Sequence, residues 1–184
     1  FEWSDPHPID IGDFEHVGDF IASAGAREGD LVRQWRAFAL SQRGQALVTV
    51  MESRFWQTTA MLMLAGGCSA EDIFRHNQRV IAAIQDLRPV LIYFTTGDVR
   101  AALARTIAIK NAEWRQDGRE SSWEETIFGF LKNQKWFANR GPRDLQGTSD
   151  FFVAWSELAE RLYAASPFPK RKSLDPYRDW DQAM

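Results

Sequence analysis

Two short, uninterrupted apolar runs constrain the fold of this chain more than any other feature of its sequence. Residues 46–51 read ALVTVM and residues 89–94 read PVLIYF, and neither run alternates apolar with polar side chains. Continuous, β-branched runs that are flanked by helical patterns are typical of parallel strands covered on both faces. The runs therefore predict an α/β fold with a parallel sheet.

Helical periodicity fills most of the chain between and after these runs. Ser69 with Asp72 three residues later predicts a capped helix start, Asp98 predicts another, and Gly44 marks a helix end. We predict helices over residues 14–24, 28–43, 54–65, 70–87, 98–115, 122–138 and 149–165, and a short late strand over 171–175.

The number of strands is too small for the number of helices. Two clear strands and one short one cannot form a sheet that covers six or seven helices, and a doubly wound domain needs at least one more central strand. No pattern in residues 1–45 supplies that strand, and both ends of the sequence, Phe1 and Met184, look cut. We therefore expect residues 1–184 to be a single domain that is incomplete at its N-terminus, and leave its C-terminus open.

Composition and charge exclude several classes of protein. The 184 residues carry 22 basic and 25 acidic side chains, so the chain has no electrostatic footprint for duplex nucleic acid or a membrane surface. Its one cysteine, Cys68, rules out an internal disulfide framework and a thiolate metal site. No signal-like apolar run is present at the start, and we expect a cytoplasmic protein. A Gly-x-Ser-x-Gly elbow is also absent, which removes support for a hydrolase triad.

The first candidate site follows the first apolar run, in the segment from Glu52 to Gln57 (ESRFWQ). Ligands of open α/β sheets bind beyond the carboxyl ends of the strands. A carboxylate at Glu52 could act there as a base or hold a metal-bound water, and Arg54 could bind an anion. The alternative is that Glu52 caps the next helix and Arg54 is a solvated residue of its first turn.

The second candidate site is a group of cations and an indole that follow the second apolar run. Its members are Arg100, Arg105, Lys110, Trp114, Arg115 and Arg119. Cations spaced along a helix could stabilise a phosphoryl group in transfer. The alternative is a solvated helix face.

These two segments resemble the thymidylate kinase-like and deoxyribonucleoside kinase-like families of P-loop NTPases. Deoxyribonucleoside kinases carry a similar Glu-Arg-Ser after the same strand, and thymidylate kinases carry Asp-Arg there. Residues 110–114 (KNAEW) are similar to an Arg-Gly-x-x-Trp pattern of related proteins, and residues 172–180 are loosely similar to the closing strand and final helix of the fold. The resemblance implies a doubly wound parallel sheet of the P-loop kinase type, rich in helices, with a lid-like helical region over residues 98–140.

The resemblance also implies roles for individual residues. Glu52 takes the acidic role at the phosphoryl-transfer site. Arg54 stands one place later than the family's arginine, which contacts the acceptor, and it is a candidate catalytic residue that stabilises charge together with Arg105 and Lys110. Arg105 and Lys110 correspond to lid cations. Further acceptor contacts implied by the resemblance are His7, Phe55, Trp56, Gln57, Trp114 and Arg115.

The function implied is transfer of the γ-phosphoryl group of ATP, with Mg²⁺, to a nucleoside, a nucleotide or another small acceptor. The defining Gly-x-x-x-x-Gly-Lys-Ser/Thr loop, which cradles the phosphates in this family, does not occur in the 184 residues. We expect it in the same missing segment as the missing strand. The expected partners are a nucleotide and a small-molecule acceptor, and a homodimer is left open.

A second function is suggested by the aromatic content of 13 Phe, 8 Trp and 3 Tyr. A non-catalytic module with the same fold could use the aromatic-rich helical half, residues 122–165, as an interface for binding or assembly. The alternative for these rings is core packing at helical spacing.

Overall fold

The computed structural model of the chain describes residues 31–45, 48–51, 55–57, 59–138, 140 and 144–174. Residues 31–42 belong to a helix, α1, and the chain continues through α2 (Thr59–Ala65), α3 (Ala70–Ile84), a 3₁₀ turn (Gln85–Leu87), β1 (Leu91–Thr95), α4 (Val99–Gln116), α5 (Trp123–Leu131), α6 (Lys135–Ala138), α7 (Leu145–Ala165) and β2 (Lys170–Leu174). The predicted helix over 14–24 lies outside the described residues.

Side-chain caps set the starts of the long helices. Ser69 Oγ accepts a hydrogen bond from the backbone N–H of Asp72 at 3.1 Å, and Asp98 Oδ1 accepts one from Ala101 at 2.9 Å. Both interactions satisfy N–H groups that have no partner within the helix. These two predicted helix starts are confirmed. The turn after α1 is confirmed as well, since Gly44 takes a positive φ of 76° there.

The predicted helix over 122–138 is instead two helices, α5 and α6. After Leu131 the backbone N–H of Gln134 bonds to the carbonyl of Leu131 three residues back, which tightens the chain into a turn. That turn redirects the chain so that Trp136 and Phe137 are both buried. Helix α7 also begins earlier than predicted, because Asp144 caps it by accepting from the N–H of Gly147 at 2.9 Å.

The sheet of the described residues has two parallel strands. β1 pairs with β2 from Leu91 opposite Lys170 to Thr95 opposite Leu174, so the predicted second strand and the late strand are both confirmed. Four helices, α4 to α7, lie between the two strands in sequence. A parallel pair needs such a crossover, and the chain therefore has the predicted α/β class. The finer prediction of a doubly wound sheet is taken up below.

The first apolar run does not form the predicted buried strand. Its described part, residues 48–51, is not in a strand, and Val48 and Val50 are 87% and 69% exposed. Thr49 donates from its hydroxyl to the side-chain oxygen of Gln42 at 2.9 Å, which holds this segment beside α1. Burial of such a run requires a neighbouring strand and a covering helix. Within the described part of the chain, residues 48–51 have neither.

The core consists of clusters built mainly by α3 and α7 with the short helices. One cluster contains Trp56, Ala60, Ile73, Leu158 and Leu162, a second contains Ala65, Leu131, Trp136, Phe137 and Phe151, and a third contains Ile81, Ile84 and Phe168. The buried apolar side chains of α3 are Ile73, Val80, Ile81 and Ile84. No helix among the described residues is long and apolar enough to cross a membrane.

Candidate functional site

The carboxyl end of β1 is the place in this fold where a ligand site is expected. The strand ends at Thr95, and after Thr96 and Gly97 the carboxylate of Asp98 caps α4. In open α/β sheets, ligands bind in the crevice outside the carboxyl ends of the strands. Since β2 runs parallel to β1, its end at Leu174 lies at the same edge.

A polar network lies at this edge and joins both strands to α7. The hydroxyl of Thr95 donates to Oε1 of Glu160 at 3.2 Å, and Lys172 Nζ of β2 lies 2.7 Å from the same carboxylate. The ammonium group of Lys172 is also 6.0 Å from the ring centroid of Tyr93 on β1. The network fixes the ends of the two strands relative to α7.

The charges of this network are set by burial and pairing. Burial raises the pKa of the half-buried Tyr93 hydroxyl above its usual value, and the negative charge of Glu160 adds to the rise while Lys172 opposes it. The hydrogen bond to Glu160 raises the pKa of Lys172. At neutral pH Tyr93 is therefore neutral and Lys172 is a cation held by a carboxylate. This pair stabilises the sheet end, and the network leaves the lysine little freedom to move toward a ligand.

The cations of α4 differ in what holds them. Arg100 forms an ion pair with Asp150 of α7, and Lys110 forms one with Glu113 at 2.8 Å on its own helix. Arg105 is exposed and forms no ion pair with a carboxylate of the described residues. Of the two predicted lid cations, Arg105 thus has the more available charge.

The end of α4 places the predicted aromatic contact beside a cation. The guanidinium carbon of Arg119 lies 4.3 Å from the ring centroid of Trp114, which is within the range of a cation–π interaction. Arg115 donates from Nε to the carbonyl of Asn111 at 3.2 Å. Trp114 is half-buried, so part of its ring is accessible.

The segment after the first apolar run is described only in part. Glu52, Arg54 and His7 lie outside the described residues, so their predicted roles remain predictions. Gln57 is exposed, and Phe55 is half-buried with its ring 6.3 Å from that of Trp35.

Trp56, predicted as an acceptor contact, is a core residue in this structure. Its side chain is 7% exposed and its indole Nε1–H donates to Oδ1 of the buried Asn77 at 3.0 Å. An indole ring with so small an exposed fraction offers almost no surface to a ligand. Trp114, which is half-buried, keeps more of its ring accessible than Trp56 does.

The residues present do not by themselves fit ATP and Mg²⁺. The described part of the chain holds no group of three or more His, Cys, Asp or Glu side chains that could bind a metal ion. The sequence also contains no Gly-x-x-x-x-Gly-Lys-Ser/Thr loop, whose backbone N–H groups bind the phosphates in P-loop proteins. The described residues can supply cations and an aromatic surface, but no phosphate cradle.

Sequence reasoning missed Glu160 and the network it organises. Glu160 lies within the long amphipathic helix α7, and from the sequence alone an acidic residue in such a helix is interpreted as part of its solvated face. Only the packing of α7 against the ends of β1 and β2 brings its carboxylate to Thr95 and Lys172. The paired threonines at positions 95 and 96, at the end of β1, were the one local signal of polar chemistry at this edge.

Comparisons of this chain with family models, with curated proteins and with solved structures found no match.

Proposed function

We propose that this chain is part of a P-loop kinase-like phosphotransferase that moves the γ-phosphoryl group of ATP to a nucleoside, a nucleotide or another small acceptor. The observation that carries the proposal is the arrangement at the end of β1. The helix that follows this parallel strand, α4, presents Arg105 about two turns after its cap at Asp98. Arg105 is exposed and has no ion-pair partner among the described residues. Arginine is suited to phosphoryl transfer because its planar guanidinium group binds phosphate oxygens in pairs.

The exposed side chains of β1 support the finer proposal of a doubly wound sheet. Ile92 and Phe94 are 58% and 46% exposed, although Leu91 and Tyr93 on the other face pack against the core. Parallel strands are almost always covered on both faces. A two-stranded sheet that leaves one apolar face exposed therefore lacks the covering elements that are usual for a parallel sheet. A further central strand with its helices would cover this face and the exposed segment 48–51.

The proposal gives separate roles to the residues of the site. Glu52 acts as the base toward the acceptor hydroxyl or as a metal-linked acid, and Arg54, Arg105 and Lys110 stabilise the charge that spreads over the transferred group. The acceptor is contacted by Gln57, Trp114, His7, Phe55 and Arg115. The proposal also requires a phosphate-binding loop that the 184 residues do not contain, and the complete reading frame provides a direct test of that requirement.

The kinase proposal is tested on the protein expressed from its complete reading frame. Turnover of ATP is measured with a panel of nucleosides and nucleoside monophosphates, after thermal-shift screening has selected the acceptors that raise the melting temperature. We expect Arg105→Gln to lower kcat about 100-fold, because one preorganised charge at the transition state is removed. Glu52→Gln is expected to lower kcat as well.

The matched control is Arg161→Gln. Arg161 is also an exposed arginine of a long helix, and its guanidinium carbon lies 5.1 Å from the ring centroid of Phe74 on α3. Its loss should leave kcat unchanged. A complete reading frame without a Walker-type loop, together with no ATP turnover for any acceptor, would refute the kinase proposal. Equal losses in Arg105→Gln and Arg161→Gln would refute the role of Arg105.

The second candidate function is a non-catalytic binding or assembly module. It is favoured by the absence of the phosphate loop from the 184 residues. The packing of the helical half weakens it, because Trp136, Phe137 and Phe151 of the proposed interface are at most 8% exposed and form a core cluster. Pull-down of a partner by a protein that lacks ATP turnover would favour this second function.

A further inference from the structure

A cavity beside α6 is lined by cations and lies outside the site at the end of β1. It has a volume of about 470 Å³, and its described lining residues are Gly67, Lys135, Ala138 and Arg140. Pockets that bind small molecules have volumes of about 300–1,000 Å³. The cavity is therefore of a size that holds a small organic molecule.

Arg140 is held on a rigid support. Its guanidinium carbon lies 3.7 Å from the ring centroid of Trp136, whose indole is 8% exposed and packs edge to face on Phe151 at 5.4 Å. Stacking on an immobile ring covers one face of the guanidinium group and leaves its N–H edge open. Because the guanidinium group is already fixed by this stacking, it loses little further conformational freedom when it binds two oxygens of one anion.

Lys135 comes close to the backbone of the α2–α3 turn because Gly67 has no side chain. Gly67 takes a φ of 80°, and a methyl group placed on its Cα would lie 3.1 Å from Cβ of Lys135. The lysine stem therefore packs directly on this turn, and Lys135 is one of the residues that line the cavity. Neither Lys135 nor Arg140 forms an ion pair with a carboxylate in the described part of the chain.

The acidic residue that follows these cations in sequence is already engaged. Asp144 uses Oδ1 to cap α7, where it accepts from the N–H of Gly147 at 2.9 Å. No acidic side chain is among the described residues that line the cavity. Two positive charges, with no carboxylate among the described lining residues, favour the binding of an anion.

We propose that this cavity binds the phosphate group of a small phosphate monoester, with Arg140 holding two phosphate oxygens and Lys135 supplying a second positive charge. The volume favours an ester over free phosphate, because a phosphate ion alone leaves most of the space unfilled. This inference does not depend on the kinase proposal, since it uses neither the end of β1 nor any residue of α4.

The test measures binding of ribose 5-phosphate, inorganic phosphate and ribose to the full chain by isothermal titration calorimetry at constant ionic strength. We expect ribose 5-phosphate to bind more tightly than inorganic phosphate and ribose not to bind. Arg140→Gln should weaken the binding of ribose 5-phosphate about 10- to 100-fold, the range for one charge-assisted hydrogen-bonded pair. Arg140→Lys should weaken it too, because an ammonium group cannot hold two oxygens in a plane.

Two control variants keep the inference open to refutation. Arg161→Gln removes an exposed arginine that also stacks on a ring, and Lys132→Gln removes a lysine near Phe128, both outside the described cavity lining. Far-UV circular dichroism confirms that each variant is folded. No saturable binding of ribose 5-phosphate would overturn the inference, as would equal weakening by Arg161→Gln and Arg140→Gln. Tighter binding of inorganic phosphate than of the ester would overturn the assignment to an ester.

Discussion

The buried pair of Trp56 and Asn77 provides a quantitative test of whether Trp56 is a core residue. The indole Nε1–H donates to Asn77 Oδ1 at 3.0 Å, and the two side chains are 7% and 3% exposed. The amide nitrogen of Asn77 has no hydrogen-bond partner in the described part of the chain. Trp56→Phe would therefore leave the whole buried amide of Asn77 without a partner among these residues.

The expected cost of Trp56→Phe has two parts. A buried polar group that loses its partner costs about 1–3 kcal/mol. The substitution also removes a net three ring atoms from a packed site, which costs about 2 kcal/mol at about 0.8 kcal/mol for each methylene-sized group. The free energy of unfolding should therefore fall by about 3–5 kcal/mol, a large part of the 5–15 kcal/mol that is typical of folded proteins.

The hydrogen bond is isolated by a double-mutant cycle with Asn77→Leu, which replaces the amide by an apolar side chain of similar shape. In the Asn77→Leu background, Trp56→Phe should cost only the packing part, about 2 kcal/mol. Unfolding is followed by urea titration with far-UV circular dichroism, because eight tryptophans complicate fluorescence. Effects of the two substitutions that add within about 0.5 kcal/mol would refute the hydrogen bond. An unchanged stability with a weakened acceptor affinity would instead restore Trp56 to the ligand site.

Three further predictions concern a cap, a turn and a titration. Ser122→Ala should lower the free energy of unfolding by about 1 kcal/mol in urea titration, because it removes the capping box of α5, and Ser122→Asp should retain most of it. Gly67→Ala should destabilise the protein by more than Gly44→Ala in the same assay: both positions have a positive φ, but only at Gly67 does the added methyl meet an atom at 3.1 Å. Glu160→Gln should lower the pKa of Tyr93, measured by the ultraviolet absorbance of tyrosinate, because the carboxylate charge helps to raise it. An unchanged pKa would show that the charge of Glu160 does not act on the Tyr93 hydroxyl.

High pH should destabilise the protein through the same network. The pKa values of Tyr93 and Lys172 are both raised in the folded state. Each group therefore contributes stability that is complete below its unfolded pKa and is lost as the pH rises through the folded value. The urea midpoint should fall as the pH increases above about 10, where both groups titrate in the unfolded chain. A midpoint that is constant through this range would contradict the direction of both shifts.

Local chemistry made much of the secondary structure predictable from the sequence. The caps at Ser69 and Asp98 depend on one side chain and the backbone three residues ahead, so their spacing alone identifies them. Strand β1 was predictable because its apolar run is bounded by Pro89 and by the Thr-Thr-Gly-Asp loop.

The errors of prediction came from interactions over long distances. Residues 48–51 have the composition of a buried strand, but burial depends on neighbours that the run itself does not encode. The break between α5 and α6 has the same origin: the local pattern continues through Gln134, and the burial of Phe137 and Trp136 is what favours the turn. The part of the candidate site on α4 was predictable because its residues are close together in the sequence. Glu160 was not predictable, because only tertiary packing brings it to the end of β1.

The aromatic content of the chain is explained more by its architecture than by a ligand. A two-stranded sheet offers little area for packing, so the helices must bury their apolar faces largely on one another, and large rings fill the gaps between them. Trp56 and Trp136 are buried in this way. Trp155 packs against the cluster that contains Trp56, and Trp35 packs against the cluster of Ile81, Ile84 and Phe168. Trp114 differs, because α4 has only one buried residue, Leu103, and the indole lies beside Arg119 and is not among the residues that pack on the three described clusters. Among these five tryptophans, Trp114 is therefore the one that core packing explains least, and the acceptor contact that we propose for it agrees with that position.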